Sequence, residues 1–194
     1  MSAARPGSVT VGVVIDLPEP HASVIRGWRE RSGDHQGAFI PPHVTLLPPT
    51  SVRRDVLGDA VTHLSAVATE VEPFSMQLGG TETFRPASQV VYVQVVNGMV
   101  ECKQLESLIR QGPLQRPREF PFHPHVTVAH DVDQAALDAA YDGLGEFVAR
   151  FRVNEFALFT REHGVWNEQQ KFALGHRSRE EAVADERSRE EEMS

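Results

Sequence analysis

The sequence predicts a bilobal α+β fold: two duplicated strand–helix–strand–helix–strand halves, with two sheets facing a central groove. Three observations predict it. Apolar residues alternate with period two in several short stretches, stretches of helical period lie between them, and the second half of the chain echoes the first at a shift of 82 residues. Residues 9–17 place Val9, Val11, Val13 and Ile15 on one side of a strand that ends at Pro18. Residues 20–31 read as a helix with Val24, Ile25 and Trp28 on its inner face. A short strand at 43–47 is closed by Pro48-Pro49, a helix follows over 52–71 and a strand over 73–79. The pattern then restarts with a strand at 90–96, a helix at 99–111, a strand at 125–129 and a helix at 133–149. Residues 151–160 and 171–174 complete it as a hairpin across Gly164.

The shift of 82 lays Val9, Val11 and Val13 on Val91, Val93 and Val95, and Phe74 on Phe156. It also lays Pro42-His43-Val44-Thr45 on Pro124-His125-Val126-Thr127. The helices do not match, so the register holds mainly in strands. The expected organisation is an N-terminal segment at 1–8 and one domain at 9–176, with halves of about 9–83 and 84–176. A charged tail follows at 177–194, expected to be disordered or a solvated helix. Neither half can cover both faces of its own sheet, so the two must form one unit.

Composition narrows the function. The chain has 194 residues, 40% hydrophobic and 24% charged, enough for a core without a metal or disulfide staple. Cys102 is the single cysteine, which excludes an internal disulfide and fits a reducing, cytoplasmic setting. No apolar run is long enough to span a bilayer, and no secretory signal precedes the first strand, so no membrane partner is expected. The net charge of −8 argues against broad binding to long nucleic acid. The tail contributes four Arg against seven acidic residues of that balance. A small phosphorylated ligand held by local groups remains compatible with it.

The chemistry concentrates in the repeated pentads, PHVTL at 42–46 and PHVTV at 124–128. Nine His and nine Thr would give about 0.4 His-x-Thr matches by chance, so one is weak, while two in equivalent strands carry weight. Residues i and i+2 of a strand share a face. His43 and Thr45 therefore point one way and Val44 and Leu46 the other, and His125 and Thr127 do the same. If an approximate twofold axis relates the halves, two imidazoles and two hydroxyls, with no carboxylate, converge on one groove. One imidazole can accept a proton while the other gives one. The hydroxyls of Thr45 and Thr127 can donate to phosphoryl oxygens. That set suits cleavage of a phosphodiester without metal or other cofactor. Tyr92 and Gln94 share the face opposite Val91, Val93 and Val95. Tyr92 either looks into the groove, to stack on a base or bond phosphate, or packs under the helices. His130 should alternate away from Thr127 unless the strand ends first, and is a candidate substrate contact. His123 and His125 could be read as a metal pair, but no third ligand stands at a convincing position. Phe84 and Phe120 to Phe122 are expected in the core or in a lid.

The two tetrads, His43-Val44-Thr45-Leu46 and His125-Val126-Thr127-Val128, resemble the hallmark of the two-histidine (2H) phosphoesterase superfamily, in its 2′-5′ RNA ligase-like branch. The flanking stretches PPHVTLLPP and FHPHVTVAH are similar to that family too, and the resemblance covers about residues 9–176. It implies a cyclic phosphodiesterase that opens 2′,3′-cyclic phosphates at RNA ends or on small cyclic nucleotides, with 2′-5′ joining of RNA ends as the reverse reaction. It implies no metal. Many relatives carry Arg three residues after the second Thr, where this chain has His130, so a substrate cation must be weaker here or come from elsewhere. A monomer with no obligatory protein partner is expected. The alternative is a module that holds a nucleotide or RNA end in the same groove without turnover.

Overall fold

In a computed structural model, residues 7–34, 40–118 and 120–175 are described, so the 177–194 tail lies outside the described residues. The chain runs β1 (Ser8–Asp16), α1 (His21–Ser32), β2 (His43–Arg53), α2 (Leu57–Thr69), β3 (Phe74–Thr83) and β4 (Val90–Asn97). It continues α3 (Met99–Ile109), β5 (His125–His130), α4 (Gln134–Gly143), β6 (Val148–Val153), β7 (Glu155–Glu162) and β8 (Val165–Ala173). The strands form two antiparallel four-stranded sheets, ordered β2-β1-β7-β8 and β5-β4-β3-β6. One apolar core joins the inner faces of both sheets to the helices.

The predicted α+β class and paired sheets hold, with two differences in how the sheets are assembled. First, the sheets do not follow the sequence halves. β3 crosses to pair with β4, and β7 returns to pair with β1. Second, residues 151–160 are not one strand. Buried positions run Ala149, Val153 and then Phe156, Leu158, so the period slips at Asn154. β6 therefore joins one sheet and β7 the other. The hairpin across Gly164 is present, with His163 and Gly164 both at positive φ (50° and 87°) as a two-residue type I′ turn requires.

Other bounds shift for local reasons. β2 runs through Pro48-Pro49 to Arg53, because it is an edge strand where missing N–H groups are tolerated and its pairing with β1 is irregular there. The second helix begins only at Leu57, after a 3-10 turn at Arg54–Val56. α4 starts where Asp133 accepts a bond from the Ala136 N–H at 2.8 Å, and it ends ten residues on at Gly143. A Cβ at Gly143 would overlap the Trp28 ring, so this glycine lets α1 and α4 cross closely. α1 buries Ala22, Ile25, Arg29 and Ser32, while Val24 is exposed, so its inner stripe is rotated from the expected one and includes an arginine. Among the described residues no helix is long and apolar enough to cross a membrane.

The connection from α3 to β5 is pinned near its middle, on one side to α3 and on the other to β2. Arg118 donates to the buried Glu106 carboxylate at 2.9 and 2.6 Å. Arg116 donates to the Pro49 carbonyl at 3.0 Å and to Thr50 Oγ1 at 2.7 Å. This ties the chain entering β5 to β2.

Candidate active site

The edge strands β2 and β5 touch, so the two sheets meet where the tetrads lie. Strand alternation acts as expected: Val44, Leu46, Val126 and Val128 are buried in the core, and His43, Thr45, His125 and Thr127 are partly open on the other face. In each strand one extra residue follows the threonine. Thr45 pairs with Val14 and Leu47 with Val13, so Leu46 has no partner; Thr127 pairs with Tyr92 and Ala129 with Val91, so Val128 has none. These matching bulges also correct the repeat. The tetrads correspond at a shift of 82, but the pairs Val14–Thr45 and Tyr92–Thr127 bring β1 onto β4 at 78.

Both imidazoles are held the same way. His43 Nδ1 donates to the Pro41 carbonyl at 2.7 Å, and His125 Nδ1 donates to the His123 carbonyl at 2.7 Å. A carbonyl only accepts, so the proton of each neutral ring is fixed on Nδ1. Nε2 carries the lone pair, and among the described residues no protein atom takes it up. The hydroxyls of Thr45 and Thr127 are likewise unbonded there. Burial pushes the His43 pKa down to about 4, against the bond to Pro41, with the charges of Arg29 and His125 adding to the shift. Burial also lowers His125, helped by the charge of His123. The charge of His125 reaches His43 across the contact of β2 with β5.

Tyr92 lies on the groove face. Its ring stacks on Phe84 at 4.3 Å and sits 4.9 Å from the His125 ring. Burial, with Glu82 nearby, raises its pKa, so the hydroxyl stays protonated and able to donate. Phe84, expected in the core or a lid, instead meets His125 edge-on at 5.0 Å. His130 does not alternate away from Thr127. The bulge at Val128 resets the phase, so His130 pairs with Val90, on the Tyr92 side of the sheet, and its ring lies 3.3 Å from Asp131. His123 and His125 have ring centroids 6.2 Å apart, and among the described residues no third metal-binding side chain joins them. Cys102 is fully buried and its thiol is pushed up to about 12, which makes it inert.

Three features escaped the sequence reading. Asp16 pairs with His43 across β1 and β2, so one carboxylate does lie on the groove face, raised in pKa by burial; its counterpart opposite His125 is Gln94. A cleft of about 150 Å³ beside His43 and Thr45 is lined by Val14, Phe159 and Trp166, with the indole lying against Gly12. Arg29 reaches from α1 to β5 and to the segment just before β2, donating to the carbonyls of Thr127 and Ile40. An arginine four residues after Ile25, on the same helix face, was the available signal for it.

The family model of the 2′-5′ RNA ligase superfamily matches residues 17–165. The chain belongs to this superfamily. A Bacillus cytotoxicus protein named as a candidate phosphoesterase is 28% identical over 179 residues, covering 87% of this chain and 99% of its own length. One from Bacillus licheniformis is 29% identical over 170 residues, covering 84% and 98%. Among solved structures, Escherichia coli LigT complexed with NADP+ superposes with a TM-score of 0.65 at 20% identity, covering 86% of this chain and 97% of LigT. LigT complexed with 3′-AMP gives 0.61 at 20% identity, covering 86% and 98%. At that identity the LigT superpositions establish the shared fold. Family and relatives together make this 2′-5′ RNA ligase superfamily member a phosphoesterase.

Proposed function

We propose that this phosphoesterase hydrolyses 2′,3′-cyclic phosphates, on RNA ends or small cyclic nucleotides, with no metal. The reading rests on one observation: two histidines, each with Nδ1 tied to a carbonyl at 2.7 Å, offer Nε2 on strand faces that also carry Thr45 and Thr127. One Nε2 takes a proton from water as the water oxygen bonds to phosphorus. The other gives a proton to the ribose oxygen as its bond to phosphorus breaks. The product is a nucleoside monophosphate, and the pair ends with its protons exchanged. Thr45 and Thr127 donate to the non-bridging oxygens. Tyr92 and His130 contact the substrate from the β5 side. With a ribose 5′-hydroxyl in place of water, the same steps join it to a 2′,3′-cyclic end: its oxygen bonds to phosphorus, the bond to O3′ breaks, and a 2′-5′ linkage remains. Structures of LigT with 3′-AMP and NADP+ support a nucleotide as the ligand class.

The test is to incubate the purified protein with the four 2′,3′-cyclic nucleotides in excess chelator and look for monophosphates. Turnover in chelator is expected. Tight binding without product would instead mark a nucleotide-binding module. Activity lost in chelator and restored by Zn²⁺ or Mn²⁺ would mark a metal enzyme.

A further inference from the structure

Arg29 is 4% exposed, on the buried side of a surface helix where an apolar residue would cost less. Its bonds explain its presence. Nε and Nη2 donate to the Thr127 carbonyl at 3.1 and 2.9 Å, and Nη1 donates to the Ile40 carbonyl at 3.1 Å. Thr127 is the last residue before the β5 bulge, and its hydroxyl faces the groove. Ile40 adjoins Pro41, whose carbonyl fixes the His43 ring. One rigid guanidinium therefore spans the backbone supports of both tetrads. Asp34 favours its charge and Arg26 opposes it, and burial brings its pKa down to about 10, still cationic at neutral pH.

We propose that Arg29 is a positioning residue that sets the spacing of the two tetrads by bridging Ile40 and Thr127, and that it holds a fixed positive charge behind the groove for an anionic phosphate. This rests on the two-histidine reading above. An arginine suits both tasks because its planar fork makes several directed bonds, whereas a lysine offers one ammonium. The charge also acts on His43, whose protonation it disfavours. The other titratable groups around His43 are His125 from β5 and Asp16, opposite it on β1. α3 also packs against β2, but its buried Glu106 is engaged by Arg110 and Arg118.

The test compares Arg29→Met and Arg29→Lys with the wild type and with His43→Ala, in the full chain, on 2′,3′-cyclic AMP across pH. Arg29→Met should lower kcat at least tenfold and move the acid limb of kcat/KM to higher pH, because His43 no longer feels the charge. Arg29→Lys should lower kcat at least tenfold and leave the acid limb in place. A lower melting temperature with unchanged kcat and limb in both variants would overturn the proposal. If Arg29→Met does not fold, kcat of Arg29→Lys decides alone. If the wild type itself turns over no cyclic nucleotide, the two-histidine reading fails separately. In that case NMR titration of the His43 ring still tests the charge: an upward move in Arg29→Met supports it, and no move overturns it.

Discussion

On β2 and on β5 the histidine Nδ1 donates over the same 2.7 Å to the carbonyl two residues back, and in both strands an unpaired residue follows the threonine. Around those shared parts the two sides diverge. His43 has Asp16 across the strand, Arg29 behind it and an apolar cleft with Trp166 beside it. His125 has Gln94 across the strand and lies against Phe84, Tyr92 and His123. The duplication is kept where ring orientation is fixed and relaxed where a substrate would touch. A cyclic phosphodiester is itself lopsided, with a nucleoside on one side and an attacking water on the other, so unequal flanks suit it.

The largest expected effect tests whether the two sides are equal partners. His43→Ala and His125→Ala should each lower kcat by at least ~10²-fold, the usual contribution of a positioned acid or base. The double variant should be about as inactive as either single one, since the pair acts as a unit. A near-normal rate in one of them would leave a single working side.

The next prediction concerns the unequal surroundings. The proposed mechanism needs one imidazole neutral and one protonated, so kcat/KM should be bell-shaped, with limbs belonging to the pair. With His43 held down at about 4 and His125 also lowered, the maximum should fall on the acid side of neutrality. Phe84→Ala removes a ring that shields His125, so the His125 titration should move up toward the ordinary imidazole range while His43 stays put. NMR of the ring protons would read both. Equal movement of the two would mean that the flanks do not act separately.

The smallest effect is on stability. The folded pKa values of both histidines lie below the unfolded one, so the unfolded chain binds more protons as pH falls through about 6.5 toward 4. Their contribution is whole above that window and is lost within it. His43→Gln should flatten the fall of melting temperature across it more than His125→Gln, because burial holds His43 further below the ordinary imidazole range.

The tetrads were legible because they depend on local rules: period-two alternation fixes which side a residue faces, and a repeated motif in equivalent strands marks the shared site. The α+β class followed from the same alternation. Bulges were not legible, because Leu46 and Val128 look like ordinary core residues until their partner strands are known. That hid the true phase of His130 and the four-residue change in register between β1 and β4. The split at Asn154 was readable, since the apolar phase slips between Val153 and Phe156, but a slip reads as noise unless two sheets are available to receive the two pieces. Asp16 and Arg29 were missed for a shared reason. Each acts on a residue far along the chain, and spacing says nothing about such contacts.

The crossing of β3 and β7 has a consequence for how such a chain can be made. Each sheet draws a central strand from the far half: β7 from near residue 160 lies beside β1 from near residue 10, and β3 lies between β4 and β6. A polypeptide carrying one half alone would display an open edge next to its first strand, with its own last strand unable to fill it. Two identical copies would complete each other by trading that strand, in the manner of a swapped dimer. The strand exchange between the halves has the connectivity of such a dimer joined end to end. Ribosomal synthesis must reach β7 before the first sheet can close, so the N-terminal strands wait longest for their neighbour.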